Sequence, residues 1–421
     1  MANSQISNKK NTKSLILDAA FSFYHEPHFT DFSLNQIAEK VGISKPAIYR
    51  HFKNKEALLE SMQAHFYDLL AERLIEVQKA AESGKEYSKM PFAETIQFFA
   101  ANPEYINYFL SQFSLNENFE SQMRAELSTR GVKQATVSIN KEWTFSGKND
   151  DQIQALYCGT TFLLFLKIRE KMHKCKKTAL DDNFGVKLIK FVTDGLRGVA
   201  EPGAAIFPKE ISNERKEELK KICSIDESAF PPEDRIFTAL ATVIKKFGLT
   251  NVTIEKIADE LNMAKSSLYF YFDNKNQLIA KLIEKEFSLL NEIIFENISE
   301  AKTYSECIYI SLLSETNYFL FRPSIIPICQ WLIQNTSNQM GSDKSLEVTH
   351  AWENRIAEDV KKIDLGFRIS PEILSLWQGF LPVALTVMGK KYKMPYEEYL
   401  IAIEKIFECI QNGIDTDSCS I

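Results

Sequence analysis

Residues 33–59 read SLNQIAEKVGISKPAIYRHFKNKEALL, and residues 253–279 read TIEKIADELNMAKSSLYFYFDNKNQLI. A constant offset of 220 residues relates the two stretches, and at that offset the likeness runs without a gap over 16–58 and 236–278. Ile16, Ala19, Thr30, Ile37, Ala38, Lys45, Tyr49, Phe52, Asn54, Lys55 and Leu58 meet Ile236, Ala239, Thr250, Ile257, Ala258, Lys265, Tyr269, Phe272, Asn274, Lys275 and Leu278. Self-similarity in strict register predicts one supersecondary unit built twice on a single chain.

The local signals agree with a helical unit. Ile16, Ala19, Ala20 and Phe23 lie at i, i+3, i+4 and i+7, as do Ile236, Ala239, Leu240 and Val243, so each copy opens on a helix with one apolar stripe. Ser33 and Thr253 are N-cap residue types, able to accept from free backbone N–H groups at the start of a second helix. Gly42 and Asn262 follow at matching places, and both tolerate the left-handed backbone that a tight helix-to-helix turn demands. Gly248 closes the first helix of the second copy, where the first copy has His28, a less favoured residue for that conformation. Ser44 is expected to cap a third helix with Pro46 in its first turn. Ala264 replaces Ser44 in the second copy, an expected loss of about 1 kcal/mol. A long fourth helix then carries Leu58, Met62, Phe66 and Leu69, or Leu278, Leu282 and Leu289. Two helices joined by a short turn, the second preceded by a cap and rich in basic residues, form a helix-turn-helix able to enter a major groove.

These residues carry a resemblance. The Tyr-x-x-Phe-x-x-Lys run, Tyr49, Phe52, Lys55 and Tyr269, Phe272, Lys275, is similar to the helix-turn-helix of the tetracycline-repressor (TetR) family. The motif covers roughly a quarter of the chain with both copies counted. The resemblance implies an all-α fold of two tandem units, each a three-helix DNA-binding head followed by a helical bundle for ligand binding and dimerisation, together forming an intramolecular pseudo-dimer. It implies a ligand-responsive repressor that binds double-stranded DNA in the cytoplasm. Lys45, Pro46, Ala47 and Arg50 would face base edges, while Ser33, Tyr49, His51 and Lys55 would hold phosphates and set register. Ser44 belongs to the same face, and Thr253, Lys265, Ser266, Ser267, Tyr269, Tyr271 and Lys275 take the corresponding places in the second copy. Free N–H groups at the start of the fourth helix, beside Lys55, would add a phosphate seat. Phe52, Ile37 and Ala38 read as core.

The two readers are not electrostatically equal. Between 40 and 55 the first has Lys40, Lys45, Arg50, Lys53 and Lys55 and no acid; between 260 and 275 the second has Lys265 and Lys275 against Glu260 and Asp273. The first is therefore expected to supply most of the salt-dependent affinity. Ser266, Ser267 and Phe270 replace Pro46, Ala47 and Arg50, so the preferred operator should be an imperfect repeat rather than a palindrome. Its half-site centres should lie about one helical turn, roughly 34–36 Å, apart.

Past the fourth helix the copies diverge but keep a helical pattern, with Asn102-Pro103 and Arg322-Pro323 marking helix starts. Tyr157-Cys158-Gly159 matches Trp377-Gln378-Gly379, Lys171 matches Lys391, and Asp194-Gly195-Leu196 resembles Asn412-Gly413-Ile414. The expected organisation is a first head at 1–56, a first bundle at 57–200, a linker at 201–231, a second head at 232–276 and a second bundle at 277–421. The linker contains a charged helical stretch ending near Ile222 and then Pro231-Pro232. The dimer contact should form inside the chain, between helices around 151–198 and 371–413, giving a monomeric pseudo-dimer with a homodimer as the alternative. Both bundles are rich in aromatics, most of them expected in the core. A ligand pocket for an apolar or aromatic effector would draw on Phe98, Tyr105, Phe109, Phe113, Phe162, Tyr318, Trp331 and Trp377. Glu104, Glu117 and Glu120 would suit a cation but read better as a solvated face.

Composition bounds the remaining classes. The 421 residues hold 50 Lys and Arg against 56 Asp and Glu, a net charge of −6, so DNA contact must rest on a local patch. Seven scattered cysteines fit a reducing compartment better than a disulfide scaffold. The longest apolar run, Phe380–Met388, falls short of the roughly 20 residues of a membrane span. MANSQISNKKNTKS reads as a short basic arm rather than a signal peptide. His25 and His28, or His173 and Cys175, lack further ligands at a useful spacing, and no phosphate loop or nucleophile elbow is present. Neither an enzyme nor a bound cofactor is expected. The rival reading keeps the fold but makes the second helix-turn-helix a protein-interaction surface.

Overall fold

The computed structural model describes residues 12–24, 32–82, 98–99, 102, 105–109, 119–133, 153–154, 156–157, 159–161, 184–200, 210–247, 252–269, 275–329 and 371–414. Every regular element among them is a helix, as the repeat predicts. Two compact units are formed, Met1–Ala135 and Thr136–Ile421.

In the first unit α1 (Thr12–Phe23), α2 (Leu34–Val41) and α3 (Lys45–His51) make a three-helix head, and α4 (Lys55–Glu82) leads away from it. Of the stripe seen in the sequence, Ile16, Ala20 and Phe23 are buried and Ala19 is half-buried; Phe21 joins them in a core with Leu34, Ile37 and Ala38 of α2, Ile48 of α3, Phe52, and Leu58 and Met62 of α4. Below the head, Phe66 of α4 stands among Phe98, Phe99, Tyr105, Tyr108 and Phe109, with ring centroids 5.4–6.3 Å from its own. Tilted and edge-on contacts of this kind add to the area that the rings bury. Further along α4, Arg130 at the end of α5 (Phe119–Thr129) reaches Asp68 at 2.7 Å.

The second unit begins with the late part of the first repeat. Helical residues between 153 and 161 and α6 (Phe184–Gly198) precede α7 (Asn213–Ile222). The second head is α8 (Arg235–Phe247), α9 (Ile254–Glu260) and α10 (Lys265–Tyr269). The bundle follows as α11 (Lys275–Ser299), α12 (Tyr304–Phe321), α13 (Pro371–Lys391) and α14 (Tyr396–Asn412). Helix α12 is the hub, buried on almost every side.

Matching parts of the two repeats pack on each other within this unit. Tyr157 and its counterpart Trp377 lie 6.0 Å apart between ring centroids, and Trp377 donates its indole N–H to Thr161 Oγ1 at 3.2 Å. Phe191 of α6 meets the same indole at 5.1 Å. At the helix ends, the Ile414 N–H donates to the Val192 carbonyl at 3.0 Å, and Arg197 donates to Asn412 Oδ1 at 2.7 Å. Gly195 and Gly413 permit this approach, because a Cβ on either would collide with the backbone of the other segment. Equivalent segments of the two repeats thus touch within one chain. These contacts, from Tyr157, Thr161, Phe191, Val192 and Arg197 to Trp377, Asn412 and Ile414, fall in the two stretches the sequence pairs, with Ile414 just past the end of the second, and residues 162–183 lie outside the described residues.

The stretch between the repeats is not a free spacer. Ser212 caps α7 by accepting from the Arg215 N–H at 3.2 Å. The helix then docks on the second bundle through fully buried Leu219 and Cys223, an Arg215–Glu306 pair at 2.9 Å and a Lys220–Glu404 pair at 2.6 Å. Asn317 Nδ2 donates to the Cys223 carbonyl at 2.7 Å and holds the end of α7 in place.

Candidate nucleic-acid interface

Each head builds its reader from the same local devices. Ser33 Oγ accepts from the Gln36 N–H at 3.3 Å, and Gln36 Oε1 accepts from the Ser33 N–H at 2.8 Å, a reciprocal capping box that starts α2. Thr253 Oγ1 does the first half of this for α9, accepting from the Lys256 N–H at 3.2 Å. Gly42 and Asn262 adopt φ of 76° and 52°, the left-handed turn expected of them. The chain wraps alike after both: Ile43 N–H to Ala38 C=O and Met263 N–H to Ala258 C=O are each 2.9 Å. Identical wrapping brings α3 and α10 to equivalent places on their heads. The turns at His28 and Gly248 lie outside the described residues.

Helix α3 is pinned by Ile48 and Phe52, 0% and 2% exposed, so the opposite side is free to project. Lys45, Pro46, Tyr49, Arg50, His51 and Lys53 are exposed and Ala47 is half-buried. Among the described residues Lys45 and Arg50 make no ion pair. Two expectations require correction. Ser44 occupies the N-cap position with extended backbone, but its hydroxyl makes no cap hydrogen bond, so Ala264 costs the second copy no cap. At the start of α4, Asn54 Oδ1 accepts from the Ala57 N–H at 2.9 Å, so one donor of the expected phosphate seat is already taken. Lys55 holds its ammonium 5.3 Å from the centre of the Phe32 ring, and Lys40 lies 4.3 Å from that of Phe23.

The second reader presents Ser266 and Tyr269 as exposed and Ser267 as half-buried, with Leu268 as its buried anchor. Its lysine is engaged. Lys265 Nζ forms an ion pair with Glu255 of α9 and lies 5.6 Å from the centre of the Tyr269 ring. Lys246 pairs with Glu260 at 2.7 Å. Tyr271 and the side chain of Lys275 lie outside the described residues. Sequence reading missed both pairs because their members are 10 and 14 residues apart, beyond the i, i+4 spacing that flags a helical pair.

Behind the second head stands a buried ionic junction that the sequence reading also missed. Arg322 Nη1 donates to both Glu286 oxygens at 3.2 Å, and the Tyr318 hydroxyl donates to Glu286 Oε1 at 2.6 Å. Arg322 also donates to the Pro231 carbonyl, Glu233 meets Ser324, and Asp234 accepts from the Ile236 N–H at 2.9 Å while pairing with Lys285. The approach to α8 is thereby bolted to α11 and α12.

The aromatic pocket candidates separate into different surroundings. Phe98, Tyr105 and Phe109 share the first unit's aromatic cluster, where the Tyr105 hydroxyl lies 3.3 Å from His65 Nε2. Tyr318 serves the ionic junction and Trp377 the interface between repeats. Phe113, Phe162 and Trp331 lie outside the described residues, as do Glu104, Glu117, His25 and His173. Among the described residues, a hollow of about 220 Å³ beside Ile153 and Cys409 is smaller than the roughly 300–1,000 Å³ of small-molecule pockets. Glu315 of α12 makes no hydrogen bond or ion pair among the described residues, and burial pushes its carboxyl up to about 8. Gly379 of α13 leaves it room: a Cβ there would stand 3.2 Å from Oε2. Among the described residues no three His, Cys, Asp or Glu converge as a metal site, and no helix is long and apolar enough to cross a membrane.

Two three-helix heads with a projecting third helix define a protein of the helix-turn-helix class. The profile described as "Bacterial regulatory proteins, tetR family" matches residues 16–62 and again 236–282, so the chain carries two tandem TetR-type units. The chain is similar to an uncharacterized HTH-type transcriptional regulator, YuxN, of Bacillus subtilis, at 26% identity over 35% of this chain and 50% of that protein. It is similar to an uncharacterized HTH-type regulator of Haemophilus influenzae, at 29% identity over 21% of this chain and 46% of that protein. A third relative is the biofilm operon icaADBC HTH-type negative transcriptional regulator IcaR of Staphylococcus aureus, at 29% identity over 18% of this chain and 41% of that protein. The matches thus span about half, or less, of each relative's length.

Proposed function

We propose that this chain is a sequence-specific DNA-binding transcriptional regulator, a cytoplasmic ligand-responsive repressor rather than an enzyme, that uses two unlike readers on one polypeptide. The heads at 1–56 and 232–276 would grip DNA, and the bundles at 57–200 and 277–421, joined through 201–231, would supply the dimer contact and the effector site. The observation that carries this reading is the first head: a groove-sized helix pinned by Ile48 and Phe52 and presenting exposed Lys45, Tyr49 and Arg50, with no acid at 40–55. Repression accords with the name of the IcaR relative. The contacts of Tyr157, Thr161, Phe191, Val192 and Arg197 with Trp377, Asn412 and Ile414 support a monomeric pseudo-dimer. An apolar or aromatic effector that prefers one packing of a bundle would shift α4 or α11 and release DNA.

A fluorescent duplex titrated with Lys45→Ala and Lys265→Ala variants at several salt concentrations tests this. Lys45→Ala should lower affinity and flatten the log-log salt slope by about one unit, while Lys265→Ala should change the slope much less. Equal losses would contradict the asymmetry, and absence of salt-dependent binding in the parent chain would contradict DNA binding itself. The engagement of Lys265 by Glu255 favours one second reading, in which the second helix-turn-helix contacts a protein instead; first-reader binding alone would then survive every substitution in α10.

A further inference from the structure

We infer that Glu255 is a specificity determinant of the second reader: it holds Lys265 away from phosphates and yields it only to a better-matched acceptor on the cognate sequence. The inference rests on the DNA-binding reading proposed above.

The residues are placed for this role. Thr253 caps α9 and so fixes Glu255 in its first turn, while Lys265 is the first residue of α10, the reading helix. Their carboxylate and ammonium pair, and the same ammonium lies against the face of Tyr269, so Lys265 is held from two directions. At the matching positions the first copy has Asn35, Lys45 and Tyr49. Asn35 carries no charge, and Lys45 makes no ion pair among the described residues. One substitution between repeats thus separates an engaged lysine from a free one.

The side chains of the pair are 46% and 52% exposed, so the clamp is weak and reversible. Non-specific binding draws on phosphate neutralisation, and a lysine already neutralised within the protein releases no counterion there. A guanine edge, with O6 and N7 both accepting, can compete for the ammonium when the helix is seated in register. The clamp therefore suppresses binding to random DNA more than binding to the right site, a device for discrimination rather than affinity.

The test is Glu255→Asn, which installs the first copy's residue at an exposed position, read by salt-dependent binding to a random-sequence duplex pool. Glu255→Asn should steepen the log-log slope by about one unit, an added loss of about threefold between 50 and 200 mM salt. In a Lys265→Ala background the same substitution should leave the slope unchanged. The mirror substitution, Asn35→Glu, should flatten the slope by a similar amount. An unchanged slope in the Glu255→Asn single variant would overturn the inference. So would an equal effect with and without Lys265, because Glu255 would then act only as bulk negative charge. If the unmodified chain fails to bind duplex at low salt, the DNA-binding reading itself falls, a result separable from either of these.

Discussion

Where the first copy joins head to bundle with Phe66, Phe98 and Asn102, the second has Glu286, Tyr318 and Arg322 at the same repeat positions. The first junction is a cluster of rings, with Phe66 and Phe98 centroids 6.1 Å apart and Asn102 donating to the Phe98 carbonyl at 2.9 Å. The second is a buried ion pair whose members are 4% and 2% exposed, extended by a tyrosine hydroxyl and the Pro231 carbonyl. The same helices are joined at the same place by opposite chemistries. Most of what the rings contribute is the non-directional burial of apolar area, whereas a buried charge pair keeps its energy only while its geometry holds. The fold specifies that this junction be filled and leaves open with what.

The largest effects should come from breaking either junction. Arg322→Ala leaves Glu286 buried and unpaired and should destabilise the second unit by about 3–5 kcal/mol in denaturant unfolding. Phe66→Ala should cost the first unit a similar amount, about 3–5 kcal/mol, through cavity formation. The comparison is sharpest in the triple change Glu286→Phe, Tyr318→Phe and Arg322→Asn, which transplants the first junction into the second. It should cost less than Arg322→Ala alone, because both buried charges leave together and neither is left unpaired, while the new amide can bond the carbonyl at 318 as Asn102 bonds that of Phe98. A triple variant less stable than the single one would show that the second junction depends on its charges.

A smaller effect distinguishes the bundles by pH. Glu315 has no acidic counterpart in the first copy, where Thr95 stands at the matching position. Its carboxyl is pushed up to about 8 from an ordinary 4.5 by burial, so the folded state keeps a proton that the unfolded chain releases. The stability this contributes is fully present below about 4.5 and is lost as pH rises through about 8. After allowing for the partial exposure of this side chain, the loss should be about 2–3 kcal/mol across that window, and Glu315→Gln should abolish it. A stability curve of equal slope in the Gln variant would place the titrating group elsewhere.

The smallest effects lie at the helix caps. Thr253→Ala removes an observed cap and should cost about 1 kcal/mol, whereas Ser44→Ala removes none and should be near neutral. Thermal unfolding of the two variants separates them, and equal losses would mean that Ser44 caps α3 after all.

How much of this was legible in the sequence follows from the range of the interactions. The heads were readable because their determinants are local: an apolar stripe at helical spacing, cap residues at Ser33 and Thr253, and left-handed turns at Gly42 and Asn262. The contact of Tyr157 with Trp377 was readable because the two hold matching positions, and a repeat that normally pairs with its twin should find it on the same chain. Ser44 misled because a serine at an N-cap position need not turn its hydroxyl to the helix. The docking of α7 was hidden because its charged residues, Arg215 and Lys220, resemble a solvated spacer until Glu306 and Glu404 are brought to them. Glu286–Arg322 and Glu255–Lys265 were hidden for the same reason. Their partners are chosen by tertiary structure, on which spacing along one helix is silent.

Selection of bound sequences from a random duplex pool with the intact chain tests most directly whether two unlike readers act together. The expected product is a pair of unequal half-sites, with one determined by Lys45 and Arg50 and the other changed by substitutions at Lys265 to Ser267. Recovery of a perfect palindrome, or of a lone half-site indifferent to every change in α10, would contradict it.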